Sequence, residues 1–324
     1  MPNNPLPSPH KQTQTSPINK YQKGYQKDLL ILPFDHRGSF QEKLFGILGT
    51  PTEQQTNYIA SFKSLIYEGF KQTLSQGLPK ESMGILVDEQ FGTKVIEQAK
   101  SAKVLVAIPA EKSGQDEFDF EYGAAFKEHI EKINPDFVKV LVRYNPAGDK
   151  KTNERQLQKL ATLNDYLEEI TCKFMFELLV PPTDAQLLQC NHQKSIYDLE
   201  LRPSLMIQAI KELQEAAVEP DIWKIEGLDR KEDCERVAEA TKREGRDQVA
   251  CIILGRGENE DKVKEWLEVA ASVKGYVGFA VGRTVFWEPL KLLKENKITK
   301  DVAIDKIAKN YMRFCQVWFR AKNN

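Results

Sequence analysis

"LLILPFDHRG", residues 29–38, is a run of large apolar side chains that stops on an acid, an imidazole, a guanidinium and a glycine. An apolar run that does not alternate with polar residues reads as a strand covered on both faces, the pattern of a parallel sheet wrapped by helices. Polar groups at its exit mark the strand end as a candidate site. Seven further runs follow: "MGILVDEQFG", "KVLVAIPAE", "FVKVLVRYNP", "KFMFELLVPP", "IWKIEGLD", "VACIILGRG" and "GYVGFAVGRT". Amphipathic stretches separate them, which is the signature of βαβ units. In "EDCERVAEATKREG", Cys234, Val237 and Ala238 share one stripe before a closing glycine; in "NEDKVKEWLEVAAS", Val263, Trp266, Leu267 and Ala270 recur at i, i+3, i+4 and i+7. Eight strand-helix repeats over about 295 residues predict an α/β fold of the (β/α)8 TIM-barrel kind, for which roughly 250 residues plus insertions is usual. A doubly wound open sheet is the alternative, weakened because no strand-turn-helix carries G-x-G-x-x-G or a phosphate-binding P-loop.

Composition bounds the partners. Lys and Arg number 46 against 47 Asp and Glu, so no excess of positive charge points to nucleic acid or an anionic membrane. No apolar run approaches the roughly 20 residues of a membrane helix, and the N-terminus has no hydrophobic signal core, so the expected compartment is the cytoplasm. Cys172, Cys190, Cys234, Cys251 and Cys315 are odd in number, scattered and without metal-ligand spacing, and read as reduced thiols. Neither a metal nor another cofactor is expected. Residues 1–27, rich in Pro, Asn, Gln, Ser and Lys, cannot repay their ordering entropy and read as a disordered tail, leaving 28–324 as one barrel domain.

A barrel makes a strand-by-strand prediction, because active sites in this fold sit at the C-terminal ends of the strands. The residues closing the runs are polar: Asp35, Asp88 with Glu89, Glu111, Arg143, Glu177, Glu226, Arg256 and Arg283. Two lysines lie inside apolar runs. Alternation puts Lys139 with Leu141 and Arg143 on one face, and Lys224 with Ile222 and Glu226. Burying an ammonium is costly unless it is paired or neutralised. Desolvation and a neighbouring cation lower a lysine's pKa and free the amine to attack a carbonyl, and Lys139 and Lys224, both on even-numbered strands, are placed to meet across the lumen. The plain alternative is a buried bridge between Lys139 and Glu177 with no chemistry.

"FDHRG", "WKIE" and "GFAVGRTVFWEP" resemble the class-I-aldolase-like barrel domain fused behind the sugar kinase of bacterial myo-inositol catabolism, over nearly the whole chain after the tail. The layout is more distantly similar to tagatose-bisphosphate and sulfofructose-phosphate aldolases. The resemblance implies a metal-independent lyase with Lys224 as Schiff-base lysine, Lys139 as the second lysine, Glu177 as the fifth-strand carboxylate and Asp35 as the acid closing the first strand. It implies a phosphorylated keto-sugar as small-molecule partner, in that pathway 5-dehydro-2-deoxygluconate 6-phosphate. Glu177 or Asp35 would take the hydroxyl proton. The seventh-strand "GRG" departs from the resembled group.

Phosphate needs a receptor, and "LGRG" and "VGRT" follow strands seven and eight, where this fold often builds one. Gly255 and Gly282 would let backbone N–H groups approach an anion, and Arg256 and Arg283 would offer planar forks; the alternative is tight turns and arginines paired with acids. His36 and Arg37 are candidates for substrate contact or for capping the first loop. "DEFDFEYG", residues 116–123, reads as a helix start, with a lid as the alternative, and His192 as a surface histidine. "YMRFCQVWFRA" reads as a last helix closing the barrel, with a homo-oligomer contact as the alternative. The competing functions are a metal-dependent aldolase or isomerase, against which the lack of a histidine cluster argues, and a non-catalytic sugar-phosphate-binding barrel.

Overall fold

A computed structural model describes residues 22–323. Eight parallel strands close in sequence order into a barrel: β1 (Leu29–Pro33), β2 (Met83–Leu86), β3 (Leu105–Pro109), β4 (Phe137–Arg143), β5 (Lys173–Leu179), β6 (Ile222–Glu226), β7 (Ala250–Leu254) and β8 (Tyr276–Ala280). The predicted (β/α)8 architecture is the observed one. Each strand is followed by a helix: α1 (Glu53–Leu74), α2 (Glu89–Ser101), α3 (Phe126–Ile133), α4 (Lys150–Glu169), α5 (Arg202–Glu215), α6 (Lys231–Lys242), α7 (Glu260–Ala271) and α8 (Arg283–Lys294). A further helix, α9 (Lys300–Lys322), contains the aromatic stretch and packs Tyr311, Phe314 and Trp318 inward; the Tyr311 hydroxyl donates to the Leu30 carbonyl at 2.8 Å. Closure pairs Leu29 with Gly278 and Ile31 with Ala280. A Cβ at Gly278 would lie 1.8 Å from the Leu29 carbonyl oxygen, so glycine is what lets β8 meet β1.

Alternation along the strands sorts side chains into two cores. One face packs the sheet against the helices, with Leu30, Ile85, Phe176, Trp223 and Phe279 in its layer. The other fills the lower lumen with Leu29, Ile31, Leu86, Phe137, Met175, Ile222 and Ile252. Each such side chain, fully buried, contributes roughly 1.5–3 kcal/mol. Residues 1–21 of the expected tail lie outside the described residues. Residues 22–27, placed in that tail by composition, cross the bottom of the barrel: Gly24 N–H donates to Asp221 Oδ1 at 2.6 Å, Tyr25 N–H to the Gln248 carbonyl at 2.8 Å, and the Tyr25 ring meets Phe137 edge-on. One aromatic anchor and backbone pairing order a segment that has few aliphatics.

Two expectations about loops change. Strand β2 ends at Leu86, so Asp88 caps α2 by accepting from Phe91 N–H instead of facing the mouth, and it pairs with the buried Lys63 of α1. Glu89 turns outward to His129 and Lys132. "DEFDFEYG" is not a helix start: Glu111 and Phe120 form an antiparallel bridge, and α3 begins only at Phe126. His192 is exposed, with φ 57°.

Candidate active site

A cavity of about 510 Å³ opens at the C-terminal ends of the strands, within the range of small-molecule pockets. Asp35, His36, Arg37, Lys139, Arg143, Glu177, Lys224, Glu226, Gly255, Arg256, Gly282 and Arg283 all line it, and so does Glu111. Lys139 stands at the centre, 98% buried as its 2% exposure shows. Its ammonium lies 2.9 Å from Asp35 Oδ2, 2.7 Å from Glu111 Oε1 and 2.9 Å from Glu177 Oε2. The same Glu177 oxygen is 2.7 Å from the Lys224 ammonium nitrogen, so one carboxylate oxygen bridges the two lysines. Parallel pairing explains the contact: Glu177 stands beside Lys224 across β5 and β6, while Lys139 lies one inward position below it on β4.

Burial works against charge on every member of this cluster, and the neighbours decide the outcome. Burial raises Asp35, but Lys139, with His36 and Lys224, outweighs it and holds the carboxyl below its ordinary range. Glu177 is likewise lowered, by Lys139 and Lys224 against burial. Burial pushes Glu111 up, and Lys139 and Arg37 do not fully offset it. Burial pulls Lys139 down, yet Asp35, Glu111 and Glu177 together drive it well above the ordinary lysine value. The idea that one lysine keeps the other uncharged by direct repulsion therefore does not describe Lys139, which three carboxylates hold as a cation.

Glu111 closes the third run but is absent from the sequence-derived set of site residues. Its signal was available only as an acid two residues past β3, beside the lysine-bearing β4. Lys63 was also missed, although it breaks the apolar stripe of Ile59, Phe62, Ile66 and Tyr67 on α1. Its ammonium accepts no role at the mouth; it donates to the Phe34 and His36 carbonyls at 2.8 and 3.0 Å and so fixes the loop that carries Asp35.

The remaining residues divide. Burial pushes the His36 imidazole down to about 4, and its ring meets Phe286 edge-on. Arg37 donates to Glu121 Oε2 at 2.6 Å and to the Glu111 carbonyl at 2.5 Å, pinning the loop after β3. Arg256 is taken by acids, Asp198 at 2.9 Å and Glu226 at 3.1 Å, so the pairing alternative describes it better than a free phosphate fork. Glu226 also accepts from Val180 N–H. Arg143 and Arg283 are different: among the described residues neither meets a carboxylate, and each donates to a backbone carbonyl, Gln115 and Arg256 respectively. Gly282 precedes α8 with no side-chain cap, which leaves the first N–H groups of that helix at the cavity wall. A Cβ at Gly282 would lie 2.1 Å from the Pro33 carbonyl oxygen.

These features define a (β/α)8 barrel with a charged, lysine-centred mouth. A solved structure of fructose-bisphosphate aldolase from Plasmodium falciparum, in complex with TRAP and a small-molecule inhibitor, is similar in fold: TM-score 0.60, 13% identity, 93% of this chain and 92% of that one covered. A search of curated proteins finds no match. The chain belongs to the family described as "Uncharacterized protein conserved in bacteria (DUF2090)", whose model matches residues 10–322. Among the described residues no helix is long and apolar enough to cross a membrane.

Proposed function

We propose that this protein is a metal-independent class I aldolase that cleaves a phosphorylated keto-sugar acid through a Schiff base on Lys224. The observation that carries the reading is the Lys224 amine, 96% buried as its 4% exposure shows, lining the cavity at 2.7 Å from a carboxylate that also touches a second lysine. A non-catalytic sugar site has no use for an amine so placed. The amine adds to the ketone carbon, the carbinolamine loses water, and the resulting iminium draws electrons from the neighbouring carbon-carbon bond. Glu177 or Asp35, both held ionised, accepts the proton of the hydroxyl one carbon beyond that bond; an aldehyde leaves, and the enamine is protonated and hydrolysed to release the ketone and regenerate Lys224. The point where three carboxylates converge, a place suited to a cation, is filled by the Lys139 ammonium.

Arg143 and Arg283 support a substrate with an anion at each end. They close β4 and open α8 after β8, on opposite sides of the ring, with Lys224 between them on β6. Arg283 with the N-terminus of α8 suits phosphate, and Arg143 suits a carboxylate. The sequence resemblance to the barrel of inositol catabolism names 5-dehydro-2-deoxygluconate 6-phosphate, whose cleavage yields dihydroxyacetone phosphate and malonate semialdehyde. The fold likeness to an aldolase is consistent with this reading.

Borohydride reduction in the presence of dihydroxyacetone phosphate tests it. Peptide mass mapping is expected to find a stable adduct on Lys224, absent from Lys224→Arg, together with a loss of turnover of about 10⁴-fold or more in that variant. An unmodified Lys224, or an active Lys224→Arg enzyme, removes the proposal.

A further inference from the structure

The charges at the mouth do not balance within the central cluster: Asp35, Glu111 and Glu177 face the two ammonium groups of Lys139 and Lys224. This matters for the aldolase reading, on which the inference builds, because a nucleophilic lysine has to shed a proton. If that proton left the protein, three buried carboxylates would face a single ammonium. The contacts provide another destination. Lys224 Nζ is 2.7 Å from Glu177 Oε2, the same oxygen is 2.9 Å from Lys139 Nζ, and Lys139 Nζ is 2.7 Å from Glu111 Oε1. The other Glu111 oxygen, Oε2, is buried and meets no hydrogen-bond donor among the described residues.

We propose that Glu111 stores the proton of Lys224, received through Glu177 and Lys139. Lys224 gives a proton to Glu177 Oε2, Glu177 passes one to Lys139, and Lys139 passes one to Glu111 Oε1. Glu177 ends as the carboxylate and Lys139 as the ammonium they were; only Lys224, now a neutral amine, and Glu111, now a carboxylic acid, differ. The total charge of the five groups is unchanged. When the carbinolamine expels its hydroxyl as water, the relay returns the proton.

Among the three carboxylates Glu111 is the one suited to this role. Asp35 hydrogen-bonds to Lys139 and faces His36 and Lys224 as well, and Glu177 touches both lysines. The groups around Glu111 are Lys139 from β4, Asp35 and Arg37 from the segment after β1, and Glu121, held by Arg37, from its own loop. Arg37 is 4.0 Å from Oε1 and spends its closest contacts on Glu121 and a backbone carbonyl, so it does not solvate Oε2. Burial outweighs the cations and raises this carboxyl, in line with the geometry. Glu111 acts through Lys139 and is a positioning residue for protons, not a group assigned to the reacting carbons.

An internal proton store makes the fraction of neutral Lys224 independent of pH, because moving the proton within the cluster neither takes one from solvent nor releases one. The test is the initial rate at which pyridoxal 5′-phosphate and cyanoborohydride label Lys224, followed by peptide mapping across the neutral range and normalised to a model amine. Wild type is expected to be flat. Glu111→Gln, which cannot accept the proton, is expected to rise about tenfold per pH unit. Glu111→Asp is expected to keep the plateau. A sloping wild type, or a Glu111→Gln variant that stays flat, overturns the proposal. Should thermal melts show that Glu111→Gln does not fold, Lys224→Met and Lys224→Arg decide. Deleting the charge in Lys224→Met is expected to produce a neutral carboxyl band in the infrared, shifted by ¹³C-glutamate, that Lys224→Arg lacks; equal bands overturn the idea. A plateau in labelling without any borohydride-stable adduct from dihydroxyacetone phosphate retires the aldolase reading and leaves the relay standing.

Discussion

The lower and upper halves of the barrel lumen are built from the same strands and obey opposite rules. Below, Phe137, Met175 and Ile222 begin the inward face of β4, β5 and β6 and pack into a dry plug. One inward step higher, the same three strands present Lys139, Glu177 and Lys224. The lower layer gains from leaving water and is indifferent to the partner's identity, whereas the upper one survives burial only because each charge has a neighbour of opposite sign. The plug gives the charged layer a rigid floor. The difference teaches that stability and chemistry are stacked along one axis here, a single pleat apart.

The sharpest way to break this division is Lys139→Met. It removes the cation on which three carboxylates converge, and a loss of about 3–5 kcal/mol is expected by urea denaturation near neutral pH. The pH dependence should also reverse. In wild type, Asp35 and Glu177 have lowered folded values, so the stability they contribute is present above the unfolded carboxylate range and is lost as pH falls through the folded ones. Without Lys139 the same carboxylates are uncompensated, and acid should stabilise the variant relative to neutral pH. A variant as stable as wild type at neutral pH, with an unaltered acid limb, would mean that the cluster is not electrostatically coupled.

Met175→Ala probes the floor. Cavity formation in the lower layer should cost about 2–5 kcal/mol, with the pH dependence of wild type retained. A changed acid limb in this variant would show that the two layers are not separable. The smallest expected effect belongs to the rim. Arg283→Ala should leave the melting temperature nearly unaltered and raise KM for a phosphorylated substrate by about 10–100-fold, the worth of a charge-assisted hydrogen bond of about 1.5–3 kcal/mol. An equal KM for phosphorylated and unphosphorylated forms in wild type would remove the phosphate from this end.

Much of the barrel could be read along the chain because parallel strands announce themselves locally: an apolar run, a polar stop, an amphipathic helix. Lys139 and Lys224 stood out for the same reason, as charges inside runs that tolerate none. What was not legible depends on distance in sequence. Glu111 matters because β3 lies beside β4, and nothing within its own loop indicates that Lys139 is its partner. Arg256 looked like a free fork until Asp198, from the long connection after β5, was found against it. Asp88 was read as a rim residue because strand length sets which side of the exit an acid occupies, and β2 stops one residue shorter than β1. Residues 22–27 were given to the tail on composition, which has no means of registering one ring wedged against Phe137.

That wedge has a practical side. The described chain enters at the pole opposite the mouth, tethered to Asp221 and Gln248 just ahead of β6 and β7. An affinity handle or surface linkage introduced at this pole keeps clear of traffic through the opening, so immobilised enzyme can be assayed with the approach route unobstructed.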